Sequence, residues 1–226
     1  MFSFLPTYDQ LEIIISALLL LTAFIFLTQN RINNLITTFT WQSILLTIAT
    51  ALQAYGSVNK ELYISAAITF VFKVLFIPYF LRIFVKKLDI RHKVSSIKHQ
   101  FLLLMGAIVI VLFCYHLVTA NKIDLNMNSN ITVVAMAIIL LGMLLLITHH
   151  KAISHVIGFM SMENGIFFAA LVATNGMPMA VELGIAFDVL VAVVLFGVFF
   201  FHIRSSIDTL NVDRLNSLRE NEGMTK

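Results

Sequence analysis

Residues 62–84 read LYISAAITFVFKVLFIPYFLRIF. The run is apolar at nearly every position and lacks the two-residue alternation of a half-buried strand. It is also long enough to cross hydrocarbon, which takes about 20 residues of helix. In lipid the backbone must satisfy its own hydrogen bonds, so only helices or closed barrels span, and the unbroken run selects a helix. Lys73 stands at its centre, about 16 Å from either end at roughly 1.5 Å per residue. That is too deep for the ammonium to reach water easily. A charge at this depth costs roughly 2.5–3.5 kcal/mol on insertion scales, so it belongs in a bundle interior or a water-filled cavity. Ser65 and Thr69 precede Lys73 at four-residue steps and place a polar stripe on its face of the helix. Pro78 removes one backbone hydrogen bond and predicts a kink beside it.

Comparable apolar runs lie at 11–28, 34–55, 100–120, 131–148, 155–174 and 181–203, which with 62–84 makes an all-α polytopic membrane protein of seven transmembrane helices. Composition agrees: 59% of residues are hydrophobic and 12% charged, whereas soluble domains carry about 25% charged residues. Too little polar surface exists to cover a water-soluble globule. The lone cysteine, Cys114, rules out an intrachain disulfide and a Cys-ligated iron–sulfur cluster within this chain, and reads as a packing residue. No cleavable signal pattern is expected at Met1–Gln10, which lacks a basic region.

The basic residues orient the bundle. Arg31, the group Arg82, Lys86, Lys87, Arg91, Lys93 and Lys98, then Lys151, and finally Arg204, Arg214, Arg219 and Lys226 all fall on one side of the expected membrane. Lys60 and Lys122 fall on the other. The positive-inside rule puts the N-terminus outside and the C-terminus in the cytoplasm, consistent with an odd number of spans. The same asymmetry accounts for the net charge of +3 without nucleic acid. The polar connection 86–99 divides the chain into 1–99, with the first three spans, and 100–226, with the other four and a cytoplasmic tail. It reads as a basic anchor at the anionic leaflet, or as a docking segment for a soluble partner.

Two acids join Lys73 inside apolar runs. Glu163 lies in IGFMSMENG (157–165), where Gly158 and Gly165 share one helix face and admit a close neighbour while Glu163 points away from it. Asp188 lies in GIAFDVL (184–190), with the small residues Gly184 and Ala192 one turn away on either side, open to a partner or water. One base and two acids on three helices suit an ion or proton pathway. Packing ion pairs are the alternative. His149, His150 and His155 stand at the ends of two spans and are candidate proton feeders, and His116 is the one deep histidine. Their spacing supplies no recognised metal site. Gln42 and Gln53, about three turns apart on one face of the second span, read as an interhelical polar face. No phosphate loop, nucleophile constellation or flavin fingerprint is present, so catalysis by this chain alone is not expected.

The segments FKVLFIP (72–78), IGFMSMENG (157–165), VELGIAFD (181–188) and TLNVDRL (209–215) together resemble component E of hydrogenase-4, the membrane subunit of formate hydrogenlyase-type nickel–iron hydrogenases. The part at about 131–203 also looks like the K subunit of respiratory complex I and the C subunit of multi-subunit cation/proton antiporters. The intramembrane acids of those subunits align near Met160 and Ala192. Glu163 and Asp188 are therefore displaced from them along two antiparallel spans, by about one turn toward the same membrane face. The resemblance implies a non-catalytic subunit beside antiporter-like subunits in the membrane arm of a redox-driven complex in a bacterial or archaeal inner membrane. Lys73, Glu163 and Asp188 would lie on a pathway for protons or sodium. It implies no cofactor in this chain, the nickel–iron centre and iron–sulfur clusters belonging to partner subunits. An antiporter subunit without a redox partner and a membrane scaffold remain the other readings.

Overall fold

The computed structural model describes residues 7–57, 60–87, 100–120, 129–149, 151–173 and Gly184. Among them the regular elements are all helical: α1 (Thr7–Thr28), α2 (Ile32–Ser57), α3 (Lys60–Thr69), a π-helical segment (Phe70–Phe76), α4 (Ile77–Lys87), α5 (Gln100–Ala120), α6 (Ser129–Thr148) and α7 (Ala152–Ala173). Six stretches are long and apolar enough to cross a membrane; α3, the π segment and α4 form one of them, Leu62–Lys86. The expected seventh span, 181–203, lies outside the described residues except for Gly184. The chain divides into two compact units, Met1–Asp188 and Val189–Lys226, the second also outside the described residues.

Within the first unit, the helices before and after the 88–99 connection share one core. α1 packs on α2, α5 and α6, and α2 packs on α7 as well as on the third span. Sequence spacing explains why α2 sits centrally. Leu35, Phe39, Gln42, Leu46 and Thr50 recur at three- and four-residue steps and are all buried, giving one continuous inward stripe. The threonines of α2 return their hydroxyls to the helix: Thr37, Thr40, Thr47 and Thr50 each donate to the carbonyl four residues back at 2.9 Å. This satisfies each hydroxyl within its own helix. α5 is peripheral, with 22% of its span buried against 56% for α7. It is held to α6 through Cys114 and Val118, packed with Val133 and Ala137. Gln100 Nε2, at the start of α5, donates to the Thr28 carbonyl at the end of α1 at 2.9 Å and satisfies a carbonyl that the helix leaves open.

The most intimate contact is the α6–α7 hairpin, and glycine makes it possible. A Cβ on Gly142 would stand 2.7 Å from the Met162 backbone nitrogen, and one on Gly165 would stand 2.9 Å from that of Ile139. Gly158 faces Leu146 less tightly, at 3.1 Å from its Cγ. The helix face carrying Gly158 and Gly165 thus packs against α6, while Glu163 points elsewhere.

Pro78 breaks the third span in a specific way. It has no N–H for the Val74 carbonyl, and its ring would collide with that carbonyl in a regular α-helix. The chain instead widens over Phe70–Phe76, where the Ile77 N–H bonds to the Phe72 carbonyl. The α-helix restarts at Ile77, so Pro78 sits in a first turn, where a missing N–H costs nothing. Lys73 lies in the middle of this π segment. Such segments recur at functional sites because they re-aim side chains within a helix.

Candidate functional site

The polar stripe of the third span points inward: Ser65, Thr69 and Lys73 are all buried, Lys73 with 1% of its surface exposed. Its partner is Glu163 of α7, itself 4% exposed. Lys73 Nζ donates to Glu163 Oε1 at 2.6 Å and to Asn164 Oδ1 at 3.1 Å. Asn164 Nδ2 in turn donates to Gln42 Oε1 of α2 at 3.2 Å. Three helices therefore meet through one polar chain, Glu163–Lys73–Asn164–Gln42. Gln42, Lys73 and Glu163 each stand ten residues or more, about 15 Å or more, from either end of their spans.

Local sequence explains the convergence. Glu163 and Asn164 are adjacent on α7, so two side chains about 100° apart embrace one ammonium. The glycine face of α7 is occupied by α6, which directs Glu163 toward the third span. Lys73 Nζ also lies 5.4 Å from the centroid of the Phe167 ring, one turn beyond Glu163, close enough for cation–π attraction in a dry site. Gly184 packs on that ring: a Cβ there would stand 2.7 Å from Phe167 Cδ2. The small residue Gly184 thus admits a neighbouring side chain, Phe167 of α7.

The ion pair is locally neutral, and its attraction is strong because few dipoles screen it. It is not saturated. Glu163 Oε2 and Gln42 Nε2 are buried polar atoms without a hydrogen-bond partner, as are Ser43 Oγ and Ser65 Oγ on the same helices. In a native interior such groups are ordinarily satisfied by protein or ordered water. Of the two Glu163 carboxylate oxygens, one is held by lysine and the other has no hydrogen-bond partner among the described residues. The two amides can relay hydrogen bonds but not protons.

The other expected site residues are placed elsewhere. His116 is exposed on the outer face of α5. His149 is buried, with Nδ1 at 3.2 Å from Thr148 Oγ1. His155 is exposed, its Nδ1 2.9 Å from the Lys151 carbonyl oxygen. His150 and Asp188 lie outside the described residues. Among the described residues no three His, Cys, Asp or Glu side chains gather into a metal-binding group. Sequence reasoning did not bring Asn164 or Phe167 into the cluster, while Gln42, read as part of an interhelical polar face, is bonded across to Asn164 of α7. Gln42 carried the best signal, an amide at mid-depth on the buried stripe of its span.

No family model and no solved structure matches the chain. An uncharacterized protein of Mycobacterium tuberculosis is 33% identical over 99 residues, 42% of this chain and 45% of the relative, so the match spans under half of either protein. Hydrogenase-4 component E of Escherichia coli, and that of Shigella flexneri, is 26% identical over 161 residues, 71% of this chain and 74% of the relative. By its apolar helices and by these relatives, the chain is a membrane protein whose regular elements are helical among the described residues, with distant similarity to hydrogenase-4 component E.

Proposed function

We propose that the chain is a membrane-arm subunit of a hydrogenase-4-like complex and that Lys73, Glu163 and Asp188 lie on its ion path. The observation that carries this reading is the buried mid-helix ion pair, whose second carboxylate oxygen has no hydrogen-bond partner. A scaffold gains little from burying two charges whose desolvation offsets most of their attraction. Ion-translocating proteins place such groups at the bilayer midplane. Protonation of Glu163 would weaken its hold on Lys73, which keeps Asn164 as a second acceptor, so occupancy at one end of the chain would be felt at the other. In this reading the chain has seven spans in an inner membrane, with the N-terminus outside and the tail in the cytoplasm. Its partners are antiporter-like and other hydrogenase subunits, which hold the nickel–iron and iron–sulfur centres. His116, His149, His150 and His155 are secondary candidates for supplying protons.

The test is proton uptake into vesicles, normalised to assembled complex, for Glu163→Gln and Asp188→Asn. The amides keep size and much of the hydrogen bonding but cannot exchange a carboxyl proton. Uptake is expected to fall at least tenfold in each, while redox turnover with artificial carriers persists. Unchanged uptake in the double variant would remove both residues from the path and leave the scaffold reading ahead.

The orientation has its own check. A reporter fused after Lys226 is expected to be active only in the cytoplasm, because the basic residues are so unevenly divided. A periplasmic signal would reverse the assignment.

A further inference from the structure

Widening the third span at Phe70–Phe76 has a second consequence on its outer side. The π segment and the start of α4 leave a groove against α2. A cavity of about 470 Å³ remains, lined by Thr40 of α2 and by Val71, Val74, Leu75, Phe76, Pro78, Tyr79 and Arg82. That volume lies within the roughly 300–1,000 Å³ of small-molecule sites. Its wall is almost wholly apolar, and its one charged member is Arg82. This arginine is exposed, and no carboxylate among the described residues pairs with it. Lys86, one turn further along the same helix, is also exposed. The groove therefore runs from the apolar middle of the span, at Val71, toward its basic end.

We infer that this groove is a binding site for one anionic phospholipid. The acyl chain lies along Val71, Val74 and Leu75, and the phosphate is held by the Arg82 guanidinium with Lys86 beside it. The occupant follows from the arrangement of the lining. An apolar trough that ends in a guanidinium matches the two halves of a phospholipid. A planar fork of N–H donors fits phosphate oxygens bidentately, which a zwitterionic headgroup only partly exploits because its own ammonium competes. Basic pockets between membrane helices commonly bind acidic headgroups. A partner's helix would also cover the apolar wall, but it would have no general reason to present an anion at Arg82. Because the groove is built on the π segment that carries Lys73, its occupant packs against the outer side of that segment.

The full chain has a single tryptophan, Trp41, next to Thr40 of the groove, and it serves as the probe. In phosphatidylcholine vesicles carrying a few mole per cent of dibrominated phosphatidylglycerol, quenching of Trp41 is expected to exceed that of dibrominated phosphatidylcholine at the same fraction. Arg82→Gln is expected to weaken the apparent association about tenfold, the scale of one lost charge-assisted contact. Arg82→Lys, which keeps the charge but not the fork, should fall between. Val71→Phe fills the trough and should abolish the excess with Arg82 intact. Arg31→Gln, at an exposed basic residue that does not line the groove, is expected to change nothing, which separates a site from general charge attraction. Helical circular dichroism confirms that each variant is folded. Equal quenching by both lipids, or equal losses in Arg82→Gln and Arg31→Gln, would overturn the site and leave the groove to a partner's helix.

Discussion

Glu163→Leu is expected to destabilise the folded chain by about 3–5 kcal/mol, the cost of leaving one member of a buried ion pair without the other. Lys73 is 1% exposed and donates to Glu163 at 2.6 Å. Without the carboxylate its ammonium loses its one anionic partner among the described residues and keeps neutral ones such as Asn164 Oδ1 and the Phe167 ring. Lys73→Met should cost a similar amount, because the carboxylate is then buried unpaired. The double variant removes both charges and fills the space with apolar atoms of similar size, so it should lie well below the sum of the singles. Its residual cost is about 1–3 kcal/mol for Asn164, whose oxygen loses its donor. In a membrane the unfolded state also finds partners for polar groups, which pulls the single-variant values toward the lower end. Titration of the full chain with a denaturing detergent, in a double-mutant cycle, measures the coupling. Strictly additive losses would mean that the two side chains do not interact.

The second large effect is expected at the α6–α7 seam. Gly142→Ala and Gly165→Ala should each cost about 1–3 kcal/mol, because the added methyl meets backbone and a packed core cannot absorb it by rotating a side chain. The obstacles are the Met162 backbone nitrogen at 2.7 Å and the Ile139 backbone nitrogen at 2.9 Å. Gly158→Ala should cost less, since its nearest atom is the Leu146 side chain at 3.1 Å. Gly106→Ala should be neutral or slightly stabilising, since nothing lies within 4 Å of its would-be Cβ and alanine is the better helix former. Met162 is next to Glu163, so Gly142→Ala also moves the carboxylate relative to Lys73. Ion uptake should therefore drop in Gly142→Ala but not in Gly106→Ala. A flat stability series across the four positions would show that the hairpin is looser than the geometry requires.

Both effects depend on how α7 divides its faces, and that division was partly legible beforehand. The seven-residue spacing of Gly158 and Gly165 marks a packing face, and helix periodicity alone turns Glu163 away from it. Nothing in the spacing says that α6 is the helix that packs there, because antiparallel neighbours and next-but-one neighbours leave the same local pattern. Asn164 shows the same limit. It lies beside Glu163 in the chain, yet its role as the link between Lys73 and Gln42 exists only once α2 and the third span flank α7.

What the sequence determined by itself is what lipid imposes on each segment separately: helical spans, their approximate ends, and a buried Lys73 that had to find polar company. Those follow from the free energy of moving side chains and unsatisfied backbone into hydrocarbon, which depends on local composition. Pro78 likewise announced a break in the third span, because a missing N–H is a property of one residue. The tertiary structure decided the form of that break, a π segment with a groove on its outer side. It also chose the partners, pairing Lys73 with Glu163, joining Gln42 through Asn164, and leaving His116 on the outer face of α5. Those choices depend on which helices lie side by side. Many arrangements bury the same apolar area, so the preference among them comes from close packing at a few glycines and from matching a few buried charges and amides.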